Sequence, residues 1–520
     1  MKIGKLLRTI SHLRLTQVTH QVAMRLHRPT YQDVHCPETL EGKRGTNLPA
    51  TFIAKPRAVS GDAFTFLNLT KRFTDWNDKE LGMLWAYNLN YMDFLLQEGM
   101  DAFDGKMWID RFLRDLPART IGLDPYPTAL RLINWAKFFS THYQQKDIPE
   151  NWRTAYYSQL IHLEHRLEYH LLGNHLLEDA FALYVGWIHM GEKGSHLAQA
   201  RRLLLGQLRE QTLSDGAHYE QSPMYHCILL DRLLDTINFA QAADDEALPS
   251  LKETAQQWLG WLDAIVWNDN TIPLFGDSAI GIAPTPAQIQ DYARRLGLSW
   301  TRGTMRKSGY RKLQNTILET IIDVGHITAT YQPGHTHSDP FSFELRTNGR
   351  PFVVDTGIST YEKNARRQYE RSYEAHNVAQ IGKEEPFEVW GGFRVGRTST
   401  VVVISDDHNH IAAQRKGQYK AERQFTLTED QLTITDNVFG HEAIARFHLA
   451  PQCSATIEAD GSVKSPLGTF RFEGKDIKVE LKPCQISIAY NQLVSSTCIE
   501  AHFKDTLTTS IIPTTQGIKT

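Results

Sequence analysis

The chain has 520 residues, a length that predicts at least two domains because one hydrophobic core rarely serves so many residues. Its composition, with 41% hydrophobic and 22% charged residues, is typical of a globular protein. The net charge of -3 excludes a global basic field, so we expect no nucleic-acid partner, and an acidic ligand would need a local basic cleft.

Residues 1–60 are predicted to form an N-terminal extension that is partly helical. Its first stretch, MKIGKLLRTISHLRLTQVTHQVAMRLHRP, is basic and amphipathic but lacks an uninterrupted apolar core and a small-residue cleavage site, so no signal peptide is predicted. No run in the chain reaches the ~18 apolar residues of a transmembrane segment. Packing of this first helix on its own domain is favoured over a position on a membrane surface.

Residues 61–305 are predicted to form a helical domain. Apolar residues recur at spacings of three and four, and Gly, Pro and Asp separate most of the periodic segments. The helices are predicted at 78–97, 127–143, 152–172, 175–190, 195–213, 223–243, 251–267 and 286–296. Many helices with short connections indicate stacked helical hairpins, arranged either as a solenoid or as a closed α/α toroid.

Residues 306–520 are predicted to form a second domain made of strands. The hydrophobic period changes to two after about residue 308, and Asn348-Gly349 is a strong hairpin signal. Strands are predicted at 316–322, 327–331, 341–345, 352–354, 400–404, 424–427, 432–435 and 478–481. Helices first and strands second, without βαβ alternation, indicate an α+β multidomain protein that ends in an antiparallel β-sandwich.

The segment Gly334–Asp339, with the sequence GHTHSD, is the first candidate for a functional site. His335 and His337 lie two positions apart, before a predicted strand, and should project from the same side of the backbone. Imidazole transfers protons near neutral pH and is the commonest metal ligand in proteins. The alternative is that both are ordinary polar strand residues, because a short motif alone is a weak signal.

A metal site is predicted from His337, Asp355 and His376, which offer two nitrogens and one oxygen. This set suits Zn²⁺ with one position open. The prediction depends on strand register. If Asn348-Gly349 is a two-residue loop, His337 and Asp355 fall on opposite faces of the sheet unless a bulge near Pro340 restores the face.

Two segments of the helical domain carry further candidates. Asn174 follows a helix-breaking glycine and is predicted to cap the next helix, so that Asn174 and His175 lie at a helix start. The loop 215–226 enters another helix, with Ser222 as the predicted cap and Pro223 as the first helical residue. Its tyrosines, at positions 219 and 225, are either catalytic or simple packing residues.

Five motifs together resemble the heparinase II/III-like polysaccharide lyases, a family that includes heparinases and some alginate lyases. They are Asn174-His175, DGAHYEQSPMYH at 215–226, HTHSD at 335–339, VVDTG at 353–357 and RRQYERSYEAHN at 366–377. The resemblance covers the chain from about residue 80 to its end. It implies an N-terminal α/α toroid, a C-terminal β-sandwich, an active site between them, and cleavage of a uronic-acid-containing glycan by β-elimination.

The resemblance also suggests roles for individual residues. Elimination removes the proton alpha to a carboxylate and expels the glycosidic oxygen, which requires hydrogen-bond donors at the carboxylate, a base and an acid. Asn174 and His175 are expected to bind the carboxylate. His335 and Tyr225 are expected to share the base and acid roles, in an order that the sequence leaves open. Tyr225 is preferred over Tyr219 because its distance along the chain from Asn174-His175 matches the family.

Substrate binding is predicted for the remaining four candidates, Arg131, Glu178, Tyr219 and Arg371. The zinc ion is expected to be structural, at the domain junction, and the protein is expected to be a monomer or a homodimer that binds an acidic polysaccharide. The N-terminal part looks like a subgroup associated with bacterial surface-polysaccharide gene clusters. The resemblance implies the cell envelope or periplasm, and the missing signal peptide leaves the cytoplasm as the alternative.

Two other functions are compatible with the sequence. Helical toroids also carry glycoside hydrolases, and two catalytic carboxylates could come from Glu178, Asp179, Asp215 and Glu220. A non-catalytic glycan-binding or assembly protein could keep the same fold, because fold does not determine function.

Overall fold

A computed structural model describes residues 2–26, 29–37, 48–116, 121–331 and 333–514 of the chain. Helices dominate the first part and strands the second. The helices are α1 (Lys2–Ile10), α2 (Leu15–Leu26), α3 (Met83–Tyr91), α4 (Ala102–Arg114), α5 (Pro125–His142), α6 (Glu150–Glu164), α7 (Gly173–His189), α8 (Ser195–Gln211), α9 (Pro223–Ala243), α10 (Leu248–Ile265), α11 (Pro286–Arg295) and α12 (Ala365–Glu370). None of these described helices is both long enough and apolar enough to cross a membrane.

The helical domain is an α/α toroid with two layers. Helices α3, α5, α7 and α9 contact one another in succession, whereas α4, α6, α8 and α10 pack around them. The inner helices α7 and α9 are buried on nearly every side. The outer helices α4 and α8 bury only one stripe of residues at spacings of three and four. The inner ends of the helices therefore surround a common centre, which can carry functional groups.

The strands of the second domain begin at Tyr310, after the last toroid helix ends at Arg295. A small sheet contains β1 (Val59–Ser60), β2 (Ala63–Phe66) and β3 (Leu69–Arg72), and a four-stranded sheet contains β4 (Tyr310–Gln314), β5 (Leu318–Asp323), β6 (Phe343–Thr347) and β7 (Arg350–Val353). The remaining strands are β8 (Ala379–Ile381), β9 (Val389–Trp390), β10 (Arg394–Val395), β11 (Thr400–Asp406), β12 (His410–Lys416), β13 (Lys420–Leu427), β14 (Leu432–His448), β15 (Thr456–Ile457), β16 (Val463–Ser465), β17 (Gly468–Ala489) and β18 (Gln492–Pro513).

The second domain is an antiparallel β-sandwich. Its large sheet has the order β11-β12-β13-β14-β18-β17-β16-β15, with β8 paired to β14, and it faces the sheet β4-β5-β6-β7 across one hydrophobic core. The ring of Phe343 lies 5.6 Å from that of Phe425 and 6.2 Å from that of Phe447. Burial of each such ring contributes roughly 2–3 kcal/mol, so this aromatic contact holds the two sheets together.

The domains meet through two hairpin turns. The β17–β18 turn at Tyr490-Asn491 reaches the β2–β3 turn at Leu67-Asn68. Asn491 Nδ2 donates to Leu67 O at 2.9 Å, and Asn68 Nδ2 donates to Tyr490 O at 2.9 Å. All but Tyr490 have a positive φ, which the two asparagines tolerate better than most residues. These contacts place Tyr490 at the junction of the domains.

The sequence predicts some elements well and others wrongly. Helix α9 begins and ends at the predicted residues 223 and 243. The helix predicted at 152–172 instead ends at Glu164, and helix α4 was not predicted, because its polar start and Gly105 weaken the apolar pattern. The strand predicted at 327–331 is wrong. This segment is irregular, and Thr328 is bound by the side chain of Gln221 rather than by a neighbouring strand.

The register problem at the predicted metal site does not arise. Asn348 and Gly349 form the expected two-residue turn, with φ values of 50° and 73° between the paired residues Thr347 and Arg350. The bulge lies at Phe352 in β7 rather than near Pro340. The prediction that the histidines belong to a strand-like stretch is wrong, because residues 333–342 adopt no regular structure. Strand alternation therefore says nothing about where these side chains point.

Candidate active site

His335 is the centre of the site and is held from three directions. Its Nδ1 lies 2.8 Å from Asp277 Oδ2, and its Nε2 lies 3.2 Å from Asn174 Nδ2. The ring of Tyr225 stacks on the imidazole with 3.8 Å between ring centroids. Residues from both domains therefore meet at one point, although Asn174 and His335 are 161 positions apart.

Asp277 belongs to this site but was not among the residues predicted from the sequence. It is fully buried and accepts hydrogen bonds from both terminal nitrogens of Arg367, at 2.5 and 2.7 Å. The Oδ1 atom of Asp277 also lies 2.8 Å from His337 Nε2. Burial opposes ionisation, but Arg367 and the two histidines hold the pKa of Asp277 well below its usual range. A carboxylate at this position favours the His335 tautomer that carries a proton on Nδ1.

The backbone around Asp277 explains how this contact forms. Gly276 has a φ of 56°, and a Cβ at this position would lie 3.0 Å from the carbonyl oxygen of His335. The amide of Asp277 donates to that carbonyl at 3.1 Å, and Ser222 Oγ donates to the carbonyl of Asp277 at 2.7 Å. Ser222 also caps α9, as predicted, by accepting a hydrogen bond from the amide of Tyr225. Around Asp277, the only local signal in the sequence is the glycine of a turn. That signal indicates a loop but does not show that Asp277 contacts His335.

Glu220, rather than Asn174 itself, caps the start of α7. The helix begins at Gly173, and the amide of Asn174 donates to Glu220 Oε1 at 2.9 Å. The prediction that Asn174 is the N-cap is therefore wrong. Its side-chain amide donates to Glu220 Oε2 at 3.0 Å and faces His335 with the same nitrogen. Glu220 thus orients the amide that contacts the imidazole.

Neighbouring carboxylates favour the protonated form of His175 next to the centre of the site. Its Nδ1 lies 3.0 Å from Glu168 Oε2, its ring contacts Tyr126 at 4.6 Å, and 31% of its side chain stays exposed. Burial lowers the pKa of His175, but Glu168, Glu220 and Glu178 more than offset this and raise it above its ordinary value. A partly exposed imidazole whose protonated form is favoured is well suited to bind a carboxylate.

Three tyrosines, Tyr225, Tyr361 and Tyr490, lie together on one side of the site. Tyr225 Oη lies 3.2 Å from Tyr361 Oη, and the ring of Tyr361 packs edge-on against Tyr490 at 5.4 Å. Burial raises the pKa of Tyr225, so its hydroxyl keeps its proton at neutral pH. Tyr361 and Tyr490 come from the sandwich domain and were not predicted, because no pattern in the sequence connects them with position 225.

A row of aromatic rings continues from the site along the toroid. The rings of Tyr87 and Tyr91 lie 6.4 Å apart, those of Tyr91 and Tyr126 lie 6.0 Å apart, and Tyr126 contacts His175. Aromatic faces of this kind pack against the apolar faces of bound molecules while their hydroxyls bind polar groups. This row is suited to the ligand contacts that were expected from other residues.

Arg131 and Glu178 do not fit the predicted role in substrate binding. Arg131 is completely buried and donates to Gln159 Oε1 at 2.7 Å and to the carbonyl of Asn90 at 3.0 Å. Glu178 is also fully buried, 3.4 Å from Arg232, and burial raises its pKa to about 7. Sequence periodicity did not separate side chains facing the toroid centre from those packed between helices.

Tyr219 and Arg371 are buried as well and make contacts within the protein. Tyr219 packs against Tyr331, with 5.8 Å between ring centroids. Arg371 donates to the carbonyl of Thr336 at 2.7 Å, and the amide of Ser338 donates back to the carbonyl of Arg371. Burial lowers the pKa of Arg371 to about 9. Arg371 therefore supports the histidine segment instead of contacting a ligand.

Replacing Arg131 with methionine should destabilise the protein without weakening substrate binding. The change leaves the buried partners Asn90 and Gln159 without a donor, which should lower the free energy of unfolding by about 2–4 kcal/mol. Urea unfolding measures this loss, and KM for the glycan should stay at the wild-type value. A raised KM with normal stability would place Arg131 in contact with substrate after all.

The predicted metal residues lie together, with one difference in the ligand set. His337 Nδ1 and His376 Nε2 are buried and have no hydrogen-bond partner, and they lie with a carboxylate oxygen of Asp339 within 4.8 Å of one another. Asp355 instead binds His376 Nδ1 at 2.7 Å. Asp339, rather than the predicted Asp355, therefore completes the cluster with the two histidines, since the irregular histidine segment turns Asp339 inward.

This cluster has the chemistry of a metal centre. Each histidine binds a carboxylate through one nitrogen, His337 to Asp277 and His376 to Asp355, and presents the other nitrogen to a common space. Such carboxylate–histidine pairs orient metal ligands. Burial raises the pKa of Asp339, and Asp355 adds to this effect although His376 opposes it. A cation would relieve that cost, so the residues fit a metal ion.

Comparison with known proteins adds independent findings. The model "Heparinase II/III N-terminus" matches residues 125–295, and the model "Heparinase II/III-like, C-terminal" matches residues 299–512. A heparin-sulfate lyase of Bacteroides thetaiotaomicron is 24% identical over 311 residues, or 50% of this chain and 44% of the relative. A heparin-sulfate lyase of Pedobacter heparinus is 27% identical over 175 residues, or 30% of this chain and 27% of the relative.

The similarity in sequence covers only part of these relatives, whereas the similarity in fold is broad. The chain matches less than half the length of either curated relative. The crystal structure of heparinase III superposes on this chain with a TM-score of 0.64 at 15% identity, covering 96% of this chain and 90% of that one. This superposition shows a shared fold of toroid and sandwich.

Proposed function

Because the chain belongs to the heparinase II/III-like family, we propose that it is a polysaccharide lyase that cleaves a uronic-acid-containing glycan by β-elimination. The observation that carries this proposal is the contact of His335 with Tyr225 and Asn174 between the two domains. These groups supply a base, an acid and an amide donor at one point. Elimination requires all three.

In this proposal His335 is the base. Asp277 holds the proton on Nδ1, so Nε2 carries a lone pair that faces the Asn174 amide at 3.2 Å in this structure. When that amide turns to the carboxylate of a bound substrate, the lone pair would be free to remove the proton alpha to the carboxylate. Tyr225 is then the acid that protonates the departing glycosidic oxygen, because its raised pKa keeps the hydroxyl neutral. The stacked rings place both groups next to the same part of a bound sugar.

Asn174 and His175 would stabilise the substrate carboxylate as negative charge builds up on it. The amide donates a hydrogen bond and the imidazolium supplies positive charge, both at the first turn of α7, where the helix dipole also favours an anion. In the aromatic row, the partly exposed Tyr87 and Tyr126 would hold the neighbouring sugar units, with the buried Tyr91 packed between them. These residues, rather than the buried Arg131 and Arg371, form the proposed binding surface.

The site supports a hydrolase less well. Asp179 is fully buried and accepts from the amide of Glu168, whereas Asp215 binds both the amide and the hydroxyl of Ser308. Glu220 is engaged by Asn174. A hydrolase needs a carboxyl group on each side of the scissile bond. The carboxylates of Asp179, Asp215 and Glu220 instead accept hydrogen bonds from other groups of the protein.

The products of the reaction test the proposed function. The purified protein should be incubated with heparan sulfate, other acidic glycans and bacterial surface polysaccharides, and the product followed by ultraviolet absorbance. A lyase creates a carbon–carbon double bond that absorbs, whereas a hydrolase releases saturated reducing ends. Shortened chains without new absorbance would support the hydrolase, and binding without shortening would support a non-catalytic protein.

We also propose that His337, Asp339 and His376 bind one zinc ion as a structural centre. Two imidazole nitrogens and a carboxylate form a ligand set that Zn²⁺ accepts, with one position open. Bound zinc would connect the histidine segment to the chain after α12 and thereby stabilise the position of His335. No proton transfer in the proposed reaction depends on it.

Metal analysis of the purified protein should give about one zinc per chain. Removal by a chelator should lower Tm, because an ion that binds only the folded state stabilises that state. His376→Gln should reduce the zinc content to near zero. His189→Gln, a change at a buried histidine within the toroid, should leave the zinc content at the wild-type value. Metal content near zero with an unchanged Tm in chelator would mean that the residues form only a hydrogen-bonded cluster.

A further inference from the structure

The two N-terminal helices bridge both domains through one side only. Arg8 of α1 donates two hydrogen bonds of 2.8 Å to Glu388, and the Trp390 indole donates to Thr9 Oγ1 at 3.0 Å. In α2, Gln17 is buried and donates to the carbonyl of Leu171 at 3.2 Å. The first helix was expected to pack on its own domain, whereas the two helices contact both domains. These contacts leave the opposite sides of both helices facing outward.

Those outward sides are apolar. We call them the N-terminal apolar face, which consists of Leu6 (41% exposed), Leu7 (62%) and Ile10 (45%) on α1, and Leu15 (78%), Val18 (37%), Val22 (50%) and Leu26 (83%) on α2. In α2 the spacings of three, four and four residues place these side chains in one stripe, opposite the buried Gln17. A stripe of this size has no partner among the described residues of the chain.

Basic residues border this face. The first 32 residues contain six Lys or Arg and no Asp or Glu, although the whole chain carries a net charge of -3. Two acidic residues from the rest of the protein, Glu388 and Glu210, bind Arg8 and Arg14. The exposed Arg394 of β10 and Arg397 just after that strand add further positive charge near α1. The region therefore remains positive around its apolar stripe.

From this combination we propose that α1 and α2 dock the protein on an anionic phospholipid surface. An amphipathic helix with basic flanks lies in the plane of a bilayer, with its apolar side at the boundary between head groups and acyl chains. Each basic residue near that surface is attracted by the anionic head groups. A protein partner or a second copy of this chain would cover the apolar stripe but would not require this excess of positive charge.

Residues in and next to α2 also contact Tyr331, which lies just before His335 in the chain. The guanidinium of Arg14 stacks on the ring of Tyr331 at 3.6 Å, and Gln17 Nε2 lies 3.4 Å from the Tyr331 carbonyl. Tyr331 precedes His335 by four positions. The surface lies outside the proposed catalytic site, so this inference goes beyond the proposed function and does not depend on it.

Cosedimentation of the full chain with vesicles tests the inference. Vesicles of phosphatidylglycerol and phosphatidylcholine should bind the protein at least about tenfold more strongly than pure phosphatidylcholine, and added salt should weaken binding. Val22→Glu combined with Leu26→Glu should lower the partition constant at least about tenfold by removing apolar contact and adding negative charge. Arg25→Glu should weaken binding to the anionic vesicles alone, by roughly tenfold or more.

Helix α4 provides a matched control, because Phe103 (77% exposed) and Met107 (47%) form an exposed apolar pair next to Asp104 and Asp110. Phe103→Glu combined with Met107→Glu should leave vesicle binding unchanged. Tm checks folding, and if the double glutamate variant unfolds, Leu26→Gln alone replaces it. Equal binding by all variants, or no binding by the wild type, would overturn the proposal. So would a stable dimer in light scattering that the α2 variants dissociate while vesicles bind no protein.

Discussion

Replacing Tyr225 with phenylalanine should lower kcat by about 10²–10⁴-fold while KM stays near the wild-type value. The substitution removes one hydroxyl and keeps the ring that stacks on His335 at 3.8 Å. If that hydroxyl protonates the leaving oxygen, its loss affects the transition state far more than the bound substrate. Initial rates of ultraviolet-absorbing product on the best glycan measure both parameters.

Tyr219→Phe is the matched control, since it makes the same chemical change six positions earlier. Tyr219 is buried against Tyr331, so its variant should keep the wild-type kcat. His335→Ala should resemble Tyr225→Phe, and the double variant should be little worse than either single one, because the two residues act as a unit. If Tyr225→Phe retains more than about half of the wild-type rate, Tyr225 is not the acid.

Replacing Asp277 with asparagine should damage both catalysis and stability. An amide can accept from only one side, so Arg367 would lose half of its paired contact and remain buried with its charge uncompensated. Breaking a buried ion pair in this way costs about 3–5 kcal/mol of unfolding free energy. Loss of the correct His335 tautomer should lower kcat by roughly 10²–10⁴-fold, the scale seen when a carboxylate that orients a catalytic histidine is removed.

The effect of Asp277→Asn on stability should depend on pH with a defined sign. The carboxyl of Asp277 has a pKa well below its usual range in the folded protein, so its contribution is complete above the unfolded value of about 4. That contribution is lost as pH falls from about 4 toward the folded pKa. The difference in unfolding free energy between wild type and variant should therefore be largest at neutral pH and should narrow in acid.

Asp269→Asn is the control for this prediction. Asp269 forms an ion pair with Arg346, but its side chain is 48% exposed, and exposed pairs contribute only about 0–1 kcal/mol. Chemical denaturation at several pH values compares the two variants with the wild type. Normal turnover in Asp277→Asn, or a stability loss as small as that of Asp269→Asn, would show that the buried carboxylate does not organise the site.

Local patterns in the sequence were sufficient to separate a helical first domain from a second domain of strands. The change from a period of three or four to a period of two reflects how side chains project from helices and strands, so it located the transition between Arg295 and Tyr310. The Ser222 cap and the Asn348-Gly349 turn depend on the backbone preferences of a few neighbouring residues, and both form as predicted. The motifs around Asn174, Tyr225 and His335 likewise identified residues that meet in the structure.

Tertiary structure alone decided which of the other candidates face the site. Arg131, Glu178, Tyr219 and Arg371 have suitable chemistry, but all four are buried. Arg131 and Glu178 pack between toroid helices, Tyr219 packs against Tyr331, and Arg371 binds the backbone of the histidine segment. Asp277 is joined to His335 and Arg367 across 58 and 90 positions of the chain, and no local pattern records such a contact. Asp339 replaced Asp355 as the candidate ligand because an irregular segment follows neither the helical nor the strand period. Its side-chain directions are therefore set by packing between the domains.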